Sequence, residues 1–304
     1  MDANKRLRAF HNVCRHHAAA VAEDRGRTDR FTCPYHGWEY GLDGRLLKAT
    51  RVAGIRNFRA ADYGLVPVSI GTWGPFMFVH LGREATDGAD ADLHAWLGEG
   101  GHAMTAAGVA DSGLKFVTQR EYRLGCNWKV YCDNYLDGGY HVAHAHKALA
   151  CSLDLASYCS RLYENVSEQT CSSSAAIGDR LGGRAAAYFF IYPNFMVNRY
   201  GPWLDVSWVV PDQGVSSANG MQRCLVRTSW WLDADRAQDG DFVAAGIAAS
   251  EEVQQEDIWL CESVQRGLAS PAYDSGRYAP GVETPMHHFH RLLHRDLFPD
   301  PVPP

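Results

Sequence analysis

Apolar positions in the first 85 residues come in short stretches broken by Gly, Pro and Asp, a pattern of short strands joined by turns. Residues 7–13 read as a strand, Gly41-Leu42-Asp43-Gly44 marks a hairpin, and residues 72–81 alternate as another strand. Composition then shifts to Ala, Gly, Asp and His over 84–112, where Leu93 and Trp96-Leu97 predict a helical connector to a second domain. A strand pattern returns at 115–124 and leads into an aromatic, helix-compatible segment at 126–136. Residues 151–185 mix Ser, Gly and polar groups and predict strands and loops, and aromatic strands follow at 188–200, 203–210 and 222–232. From about 241 to 268 the period becomes helical. Val243, Gly246, Ser250, Val253, Asp257, Leu260/Cys261, Val264 and Leu268 recur at steps of three and four and share one face. Two domains are expected, 1–95 and 96–304.

The chain has 304 residues, enough for two hydrophobic cores. No apolar run reaches transmembrane length, and a net charge of −6 gives no basic footprint for nucleic acid. Nothing at the amino terminus has the apolar core of a signal peptide or the character of a transit peptide. Of nine cysteines, seven (Cys126, Cys132, Cys151, Cys159, Cys171, Cys224, Cys261) form no regular framework, which predicts a reducing compartment. Cys126, Cys132 and Cys261 lie in patterned segments and read as small core residues.

The other two cysteines sit in two short peptides, Cys14-Arg15-His16 and Cys33-Pro34-Tyr35-His36-Gly37-Trp38. Each arm carries one Cys and one His, and sixteen residues separate them. That is ligand spacing for a Rieske-type [2Fe–2S] cluster, in which two thiolates hold one iron and two imidazoles the other. The competing reading is a Cys2His2 zinc site, but zinc modules usually keep the Cys pair apart from the His pair.

A second constellation runs from Asn134 to His146, with His141, His144 and His146 within six residues. Such density points to metal binding. A two-histidine, one-carboxylate triad on non-haem iron needs one acid more. Asp257 is the only acid on the mostly apolar stripe of the long helix, where an unpaired carboxylate is costly and a cation relieves the cost. A buried hydrogen bond or salt bridge is the other reading. Glu251, Glu252, Glu256 and Glu262 fall largely off this face and read as solvated charges.

With these motifs in hand the chain resembles the catalytic (alpha) subunits of Rieske non-haem iron oxygenases, and within them the plant-type choline monooxygenases. The resemblance runs from Leu7 to Leu297. It rests on Ala9-Phe10-His11-Asn12-Val13-Cys14, on Cys33-Pro34-Tyr35-His36-Gly37-Trp38 and on Asp133-Asn134-Tyr135-Leu136-Asp137-Gly138-Gly139-Tyr140-His141. It continues through Tyr192-Pro193-Asn194-Phe195, Arg199-Tyr200-Gly201-Pro202-Trp203 and Glu256-Asp257 to Leu260-Cys261-Glu262-Ser263-Val264-Gln265-Arg266-Gly267-Leu268.

The resemblance implies an α+β chain: an N-terminal Rieske β-sandwich, truncated at its start, then a helix-grip (START/Bet v 1-like) catalytic domain with an antiparallel sheet and a long helix. Cys14, His16, Cys33 and His36 then hold the [2Fe–2S] cluster, and His141, His146 and Asp257 hold mononuclear Fe(II). His144 is expected as a pocket residue beside the ligands. Asp137 and Asn134 are candidate catalytic side chains, Asp137 as the acid that bridges the two centres. Many members place that acid three residues before the first ligand histidine, where this chain has Gly138.

The resemblance further implies ferredoxin or a reductase as electron donor, O2 as co-substrate and a head-to-tail homotrimer. The compartment follows the source: chloroplast stroma in a plant or alga, otherwise cytoplasm. Choline, oxidised to betaine aldehyde hydrate, is the implied substrate. Tyr192, Phe195, Tyr200, Trp203 and Trp208 are expected around its ammonium group, as a cage or simply as core. Asn198 stands where plant-type enzymes tend to carry an acid, which leaves glycine betaine, carnitine or another methylammonium compound open, by C-hydroxylation or by oxidative demethylation, and a ring-hydroxylating oxygenase acting on an aromatic ring is the rival enzyme reading. A soluble Rieske carrier would need only about the first hundred residues of such a chain, and an inactive remnant is the remaining alternative.

Overall fold

The structure, a computed structural model, describes residues 1–2, 4–82, 89–173, 185–212 and 222–299. It divides into two compact units, Met1–Trp96 and Leu97–Pro304.

The first unit contains two three-stranded antiparallel sheets. Its strands are β1 (Ala9–Phe10), β2 (Arg30–Thr32), β3 (Glu39–Gly41), β4 (Leu46–Lys48), β5 (Pro67–Trp73) and β6 (Phe76–His80). One sheet has the order β2-β3-β4 and the other β1-β5-β6. The hairpin expected at Gly41–Gly44 joins β3 to β4. The single strand expected over 72–81 is instead a hairpin. Gly74 takes a positive φ and Pro75 removes a ladder donor, so the alternation folds back with Trp73 paired to Phe76. Cys14, Cys33, Trp38, Tyr40 and Leu65 form a buried cluster in this unit.

A helical segment, α1 (Ala89–Ala106), follows and is interrupted at Gly98, whose φ is 50°. The second unit then runs β7 (Leu114–Leu124), α2 (Trp128–Tyr135), α3 (Val142–Ala145), α4 (Lys147–Ser152), β8 (Leu153–Leu162) and β9 (Val166–Ser173). It continues with β10 (Ala186–Ile191), β11 (Phe195–Tyr200), β12 (Trp203–Pro211), β13 (Cys224–Asp233), α5 (Gly240–Leu268) and α6 (Thr284–Leu297). The seven strands form one antiparallel sheet in the order β7-β13-β12-β11-β10-β9-β8. The aromatic run 188–200 splits into β10 and β11 because Tyr192-Pro193-Asn194 turns the chain. Part of the expected 151–185 segment, residues 174–184, lies outside the described residues.

The long helix α5 starts where the Asp239 carboxylate accepts from Phe242 N at 3.0 Å, an N-cap. It lies on the sheet face that carries Trp203 and Trp230. Trp230 Nε1 donates to Ser250 Oγ at 3.1 Å, and Trp203 stacks on Phe242. Gly246 permits this approach: a Cβ there would sit 2.4 Å from the Trp203 ring. The sequence pattern showed no sign of α6. Pro285 in its first turn starts it, and Phe289 and Leu292 bury its apolar side, Phe289 alone contributing about 1.5–3 kcal/mol.

Candidate functional site

In the first unit, two loops bring the Cys/His arms together. Cys14 N donates to Ala19 O and Ala18 N to Cys14 O, while Cys33 N donates to Trp38 O and Gly37 N to Cys33 O. Each loop therefore turns tightly around its cysteine. Both thiols are buried, at 2% exposure, whereas His16 and His36 are exposed. The two imidazoles face each other through Nδ1 at 3.2 Å, and His16 stacks on Trp38. Tyr40 OH lies 3.2 Å from Cys14 Sγ and accepts from Arg15 N at 3.0 Å, so its proton is directed at sulfur. Burial raises the Cys14 thiol pKa, but hydrogen bonds from Tyr40 and nearby backbone amides outweigh it and lower it overall. Two buried thiols, the Cys14 thiolate favoured, an exposed imidazole pair and a buried Trp38 Nε1 with no partner among the described residues suit a sulfide-bearing cluster.

In the second unit, the described residues contain one group of metal-type donors: His141, His146 and Asp257, with ligand atoms all within 4.8 Å of one another. Asp137 lies at the end of the turn after α2, the one-turn helix α3 spaces the two histidines, and α5 carries the acid. His141 Nε2 and His146 Nε2 are 3.0 Å apart, and Asp257 Oδ1 is 3.1 Å from His146 Nε2 and 3.6 Å from His141 Nε2. Edges near 3 Å are what three adjacent ligands make around one divalent ion with bonds of about 2.1 Å.

The opposite ring nitrogens are fixed. His141 Nδ1 meets Asp137 Oδ2 at 2.5 Å, and His146 Nδ1 meets Glu256 Oε2 at 2.6 Å. Carboxylates on Nδ1 hold the proton there and leave Nε2 lone pairs converging, the arrangement metal-binding histidines use. Asn134 Nδ2 donates to Asp257 Oδ1 at 2.7 Å and steadies the acid. Burial lowers the His141 pKa, yet hydrogen bonds to Asp137 and Asp257 lift it to about 9. Burial raises Asp257, and the two imidazoles bring it down to about 2. This pairing of charges stands in for a cation.

Several expectations need correction. Glu256 is not a solvated charge but the partner of His146; Glu262 accepts from Gly125 N at 2.8 Å and Glu251 from Tyr122 OH at 2.8 Å. Residues one step off a helical stripe still reach neighbours that approach from the side. His144 is exposed and lies outside the donor group, because α3 turns it away from its two neighbours. At Gly138 a Cβ would fall 2.1 Å from Val282 O, so no side chain fits there. Asp137 holds His141 instead, and also accepts from the backbone amides of Gly139 and His141.

A cavity of about 130 Å³ opens beside Asp257 between α2, α5 and the sheet. Asn198 and Tyr200 line it, together with Met196, because residues 196, 198 and 200 of β11 share one face. Phe195 lies on the other face of that strand. Tyr192 sits past the end of β10 and bonds Asp296 of α6 at 2.8 Å. Trp203 shares the face of Asp205 and Ser207 but lies further along β12, under Phe242, and Trp208 is exposed. None of these four lines the cavity among the described residues.

Its aromatic wall comes from Tyr131, Tyr135 and Tyr188 as well as Tyr200. The aromatic run of α2 and β10 carried that signal, read there only as pattern. Gln254, one turn before Asp257, accepts from Tyr131 OH at 3.0 Å; its buried Nε2 has no partner among the described residues. A larger groove of about 940 Å³ lies between α2, the end of α5 and α6, and no candidate metal ligand lines it.

Residues 112–297 match the family model of the ring-hydroxylating alpha subunit (catalytic domain), and residues 1–59 that of the Rieske [2Fe-2S] domain. The chain belongs to the Rieske non-haem iron oxygenases as an alpha subunit. The family's cofactors, a Rieske [2Fe–2S] cluster and a mononuclear iron, match the two donor sets, and its reactions draw on O2 and an external electron donor. The chloroplastic choline monooxygenase of Arabidopsis thaliana is 48% identical over 97% of this chain and 70% of its own length. That of Beta vulgaris is 42% identical over 97% of this chain and 65% of its own. The chain thus spans roughly two thirds of these plant relatives. The carnitine monooxygenase oxygenase subunit of Escherichia coli is 28% identical over 95% of this chain and 78% of its own. A crystal structure of a quaternary ammonium Rieske monooxygenase superposes with a TM-score of 0.78 at 23% identity, over 97% of this chain and 79% of the other. Naphthalene 1,2-dioxygenase from Rhodococcus superposes at 0.73 and 16% identity, over 99% and 83%. The fold is therefore shared across different substrates. No helix among the described residues is long and apolar enough to cross a membrane.

Proposed function

We propose that this alpha subunit hydroxylates a small quaternary ammonium compound, most simply choline to betaine aldehyde hydrate. The observation that carries the reading is the tyrosine-walled cavity that ends on Asp257. Tyrosine faces attract a methylated ammonium, and the choline monooxygenases above match nearly the whole chain. In this reading choline and O2, with two electrons and two protons, give the aldehyde hydrate and water. Cys14, His16, Cys33 and His36 hold the cluster; His141, His146 and Asp257 hold the iron. When bound, the iron supplies oxygen activation. Asp137 and Glu256 keep the two imidazoles aimed, Asn134 steadies Asp257, and Gln254 Nε2 offers a donor to the alcohol oxygen. Ferredoxin is the proposed donor and a homotrimer the working form, with Asp137 the candidate link toward a neighbour's cluster. The nine cysteines are all free, in keeping with a reducing compartment, the stroma if the source is a plant or alga.

The test is metal content followed by turnover. About three irons and two acid-labile sulfides per chain, with a Rieske EPR signal after reduction, are expected. Betaine aldehyde should then form from choline under O2 with a reduced ferredoxin. A fully loaded protein that oxidises no methylammonium compound overturns the substrate reading. Tyr40→Phe should leave the cluster in place and lower its midpoint potential. Losing one neutral hydrogen bond of about 1 kcal/mol to sulfur corresponds to ~40 mV for one electron. Redox titration followed by EPR measures it, and an unchanged potential removes Tyr40 from the cluster's control.

A further inference from the structure

Ile247, Gln254 and Cys261 are the buried residues of α5, two helical turns apart on one face. Ile and Cys suit such a stripe. A buried amide does not, unless both its ends find partners. The carbonyl end of Gln254 has one, because Tyr131 OH donates to Oε1 at 3.0 Å. Burial pushes the Tyr131 hydroxyl well above its usual range, so it stays a donor. The other end, Nε2, is buried with no partner among the described residues. Turning the amide over would not relieve this. The Tyr131 proton would lose its acceptor, and Oε1 would be orphaned in place of Nε2.

Among the described residues, buried side-chain N or O atoms without a partner occur at Trp38, Ser167, Arg199 and Gln254. Of these residues only Gln254 lines the cavity beside Asp257. Other polar groups of that lining have partners. Tyr135 OH donates to Asn198 Oδ1, Ser207 bonds Thr228, and Ser250 Oγ accepts from Trp230 Nε1. Gln254 stands three residues before Asp257, and side chains at that spacing are neighbours on a helix surface, with Cβ atoms about 5–6 Å apart. A substrate oxygen held by Nε2 therefore lies beside the proposed iron ligand, and the carbon that bears it comes first within reach of the iron.

We infer that Gln254 is a specificity-determining residue: its Nε2 donates to the substrate's hydroxyl oxygen, selects alkylammonium compounds that carry one, and presents the alcohol carbon rather than an N-methyl group for oxidation. This rests on the proposed choline reading and adds its regiochemistry. Oxidation at the alcohol carbon replaces a C–H bond by C–OH, and the second oxygen atom leaves as water with two electrons and two protons. Oxidation at an N-methyl group consumes the same O2, electrons and protons. Its N–CH2OH product then breaks at the C–N bond to give formaldehyde, a proton and 2-(dimethylamino)ethanol. Tyr131 is a positioning residue that holds the amide by its oxygen.

The experiment titrates choline and n-propyltrimethylammonium, which carries a methyl in place of the hydroxyl, into iron-loaded protein without O2, by calorimetry. The wild type should bind choline about 10-fold more tightly or better. Gln254→Met keeps the volume and loses the donor, and should bring the two affinities within about threefold, with iron content and the Rieske EPR signal unchanged. Under O2 with reduced ferredoxin, its ratio of formaldehyde to betaine aldehyde should rise by roughly fivefold or more, because the alcohol end is no longer anchored. Tyr131→Phe should move the same product ratio in the same direction, which a merely structural role would not do. A wild type that binds both ligands equally overturns the proposal without any variant. So does a Gln254→Met protein that keeps the choline preference or the wild-type product ratio. A wild type that binds neither ligand overturns instead the function on which the proposal rests.

Discussion

Asp257→Ala empties the mononuclear iron site and takes turnover below about 1% of the wild type, while the Rieske EPR signal persists. Asp257 is the only anion among the three converging donors, and its Oδ1 lies within 3.6 Å of both Nε2 atoms. Two neutral imidazoles alone have no charge to offset the cost of stripping water from a divalent ion. Losing an outer-sphere partner of a ligand already costs roughly 10–100-fold in metal affinity, and losing the ligand costs more. Asn134 Nδ2 is left without its acceptor, which adds local disorder where the site must be rigid. The cluster donors Cys14, His16, Cys33 and His36 belong to the other compact unit, so their signal does not change. Iron analysis against sulfide content reads the result directly: one iron lost and both sulfides kept. A variant that keeps all its iron and its turnover removes Asp257 from the ligand set.

The candidate metal donors were legible because coordination restricts residue type and spacing. Cys14/His16 and Cys33/His36 have few other reasons to occur together, and Asp257 stood out as an acid on an apolar helical stripe. The elements around them were legible where periodicity was long: α5 was expected over 241–268 and spans Gly240–Leu268. What the pattern hid was whatever depends on a partner brought by the tertiary fold. Glu256 follows the same helix as Asp257 and looked like a surface charge, because nothing local says that His146 arrives from the α3 turn. Asp205 is one polar residue in a buried strand, and only the sheet register sets it opposite Asn198, whose Nδ2 donates to it at 2.6 Å. The aromatic residues of 188–200 all satisfy a strand pattern, but alternation and the Pro193 turn decide that Tyr188 and Tyr200 face the cavity while Phe195 does not. α6 went unseen because its histidines and arginines dilute the apolar stripe that Phe289 and Leu292 bury.

Gly138→Asp restores an acid at the position where many family members carry one, and it should damage this protein. Gly138 has φ 74° and Gly139 φ 75°, a left-handed pair that brings the chain from α2 to His141. A side chain at such φ costs about 1–2 kcal/mol before any contact is counted. A Cβ at Gly138 would also lie 2.1 Å from the Val282 carbonyl oxygen, which is backbone and cannot rotate aside. Relieving that overlap means shifting the segment ahead of α6, at a further 1–3 kcal/mol or so. The sum, about 2–5 kcal/mol, corresponds to a melting temperature lower by roughly 5–15 °C for a unit of this size. Iron occupancy should fall as well, because the same turn places Asp137 against His141 Nδ1. Here Asp137, four residues before the ligand, makes the contact with His141, and the double glycine gives the turn the reach to do so. Thermal melts of metal-loaded protein and iron analysis measure both effects. A variant with wild-type melting temperature and faster reduction of the iron would show that the turn can open and that the usual position still carries electrons.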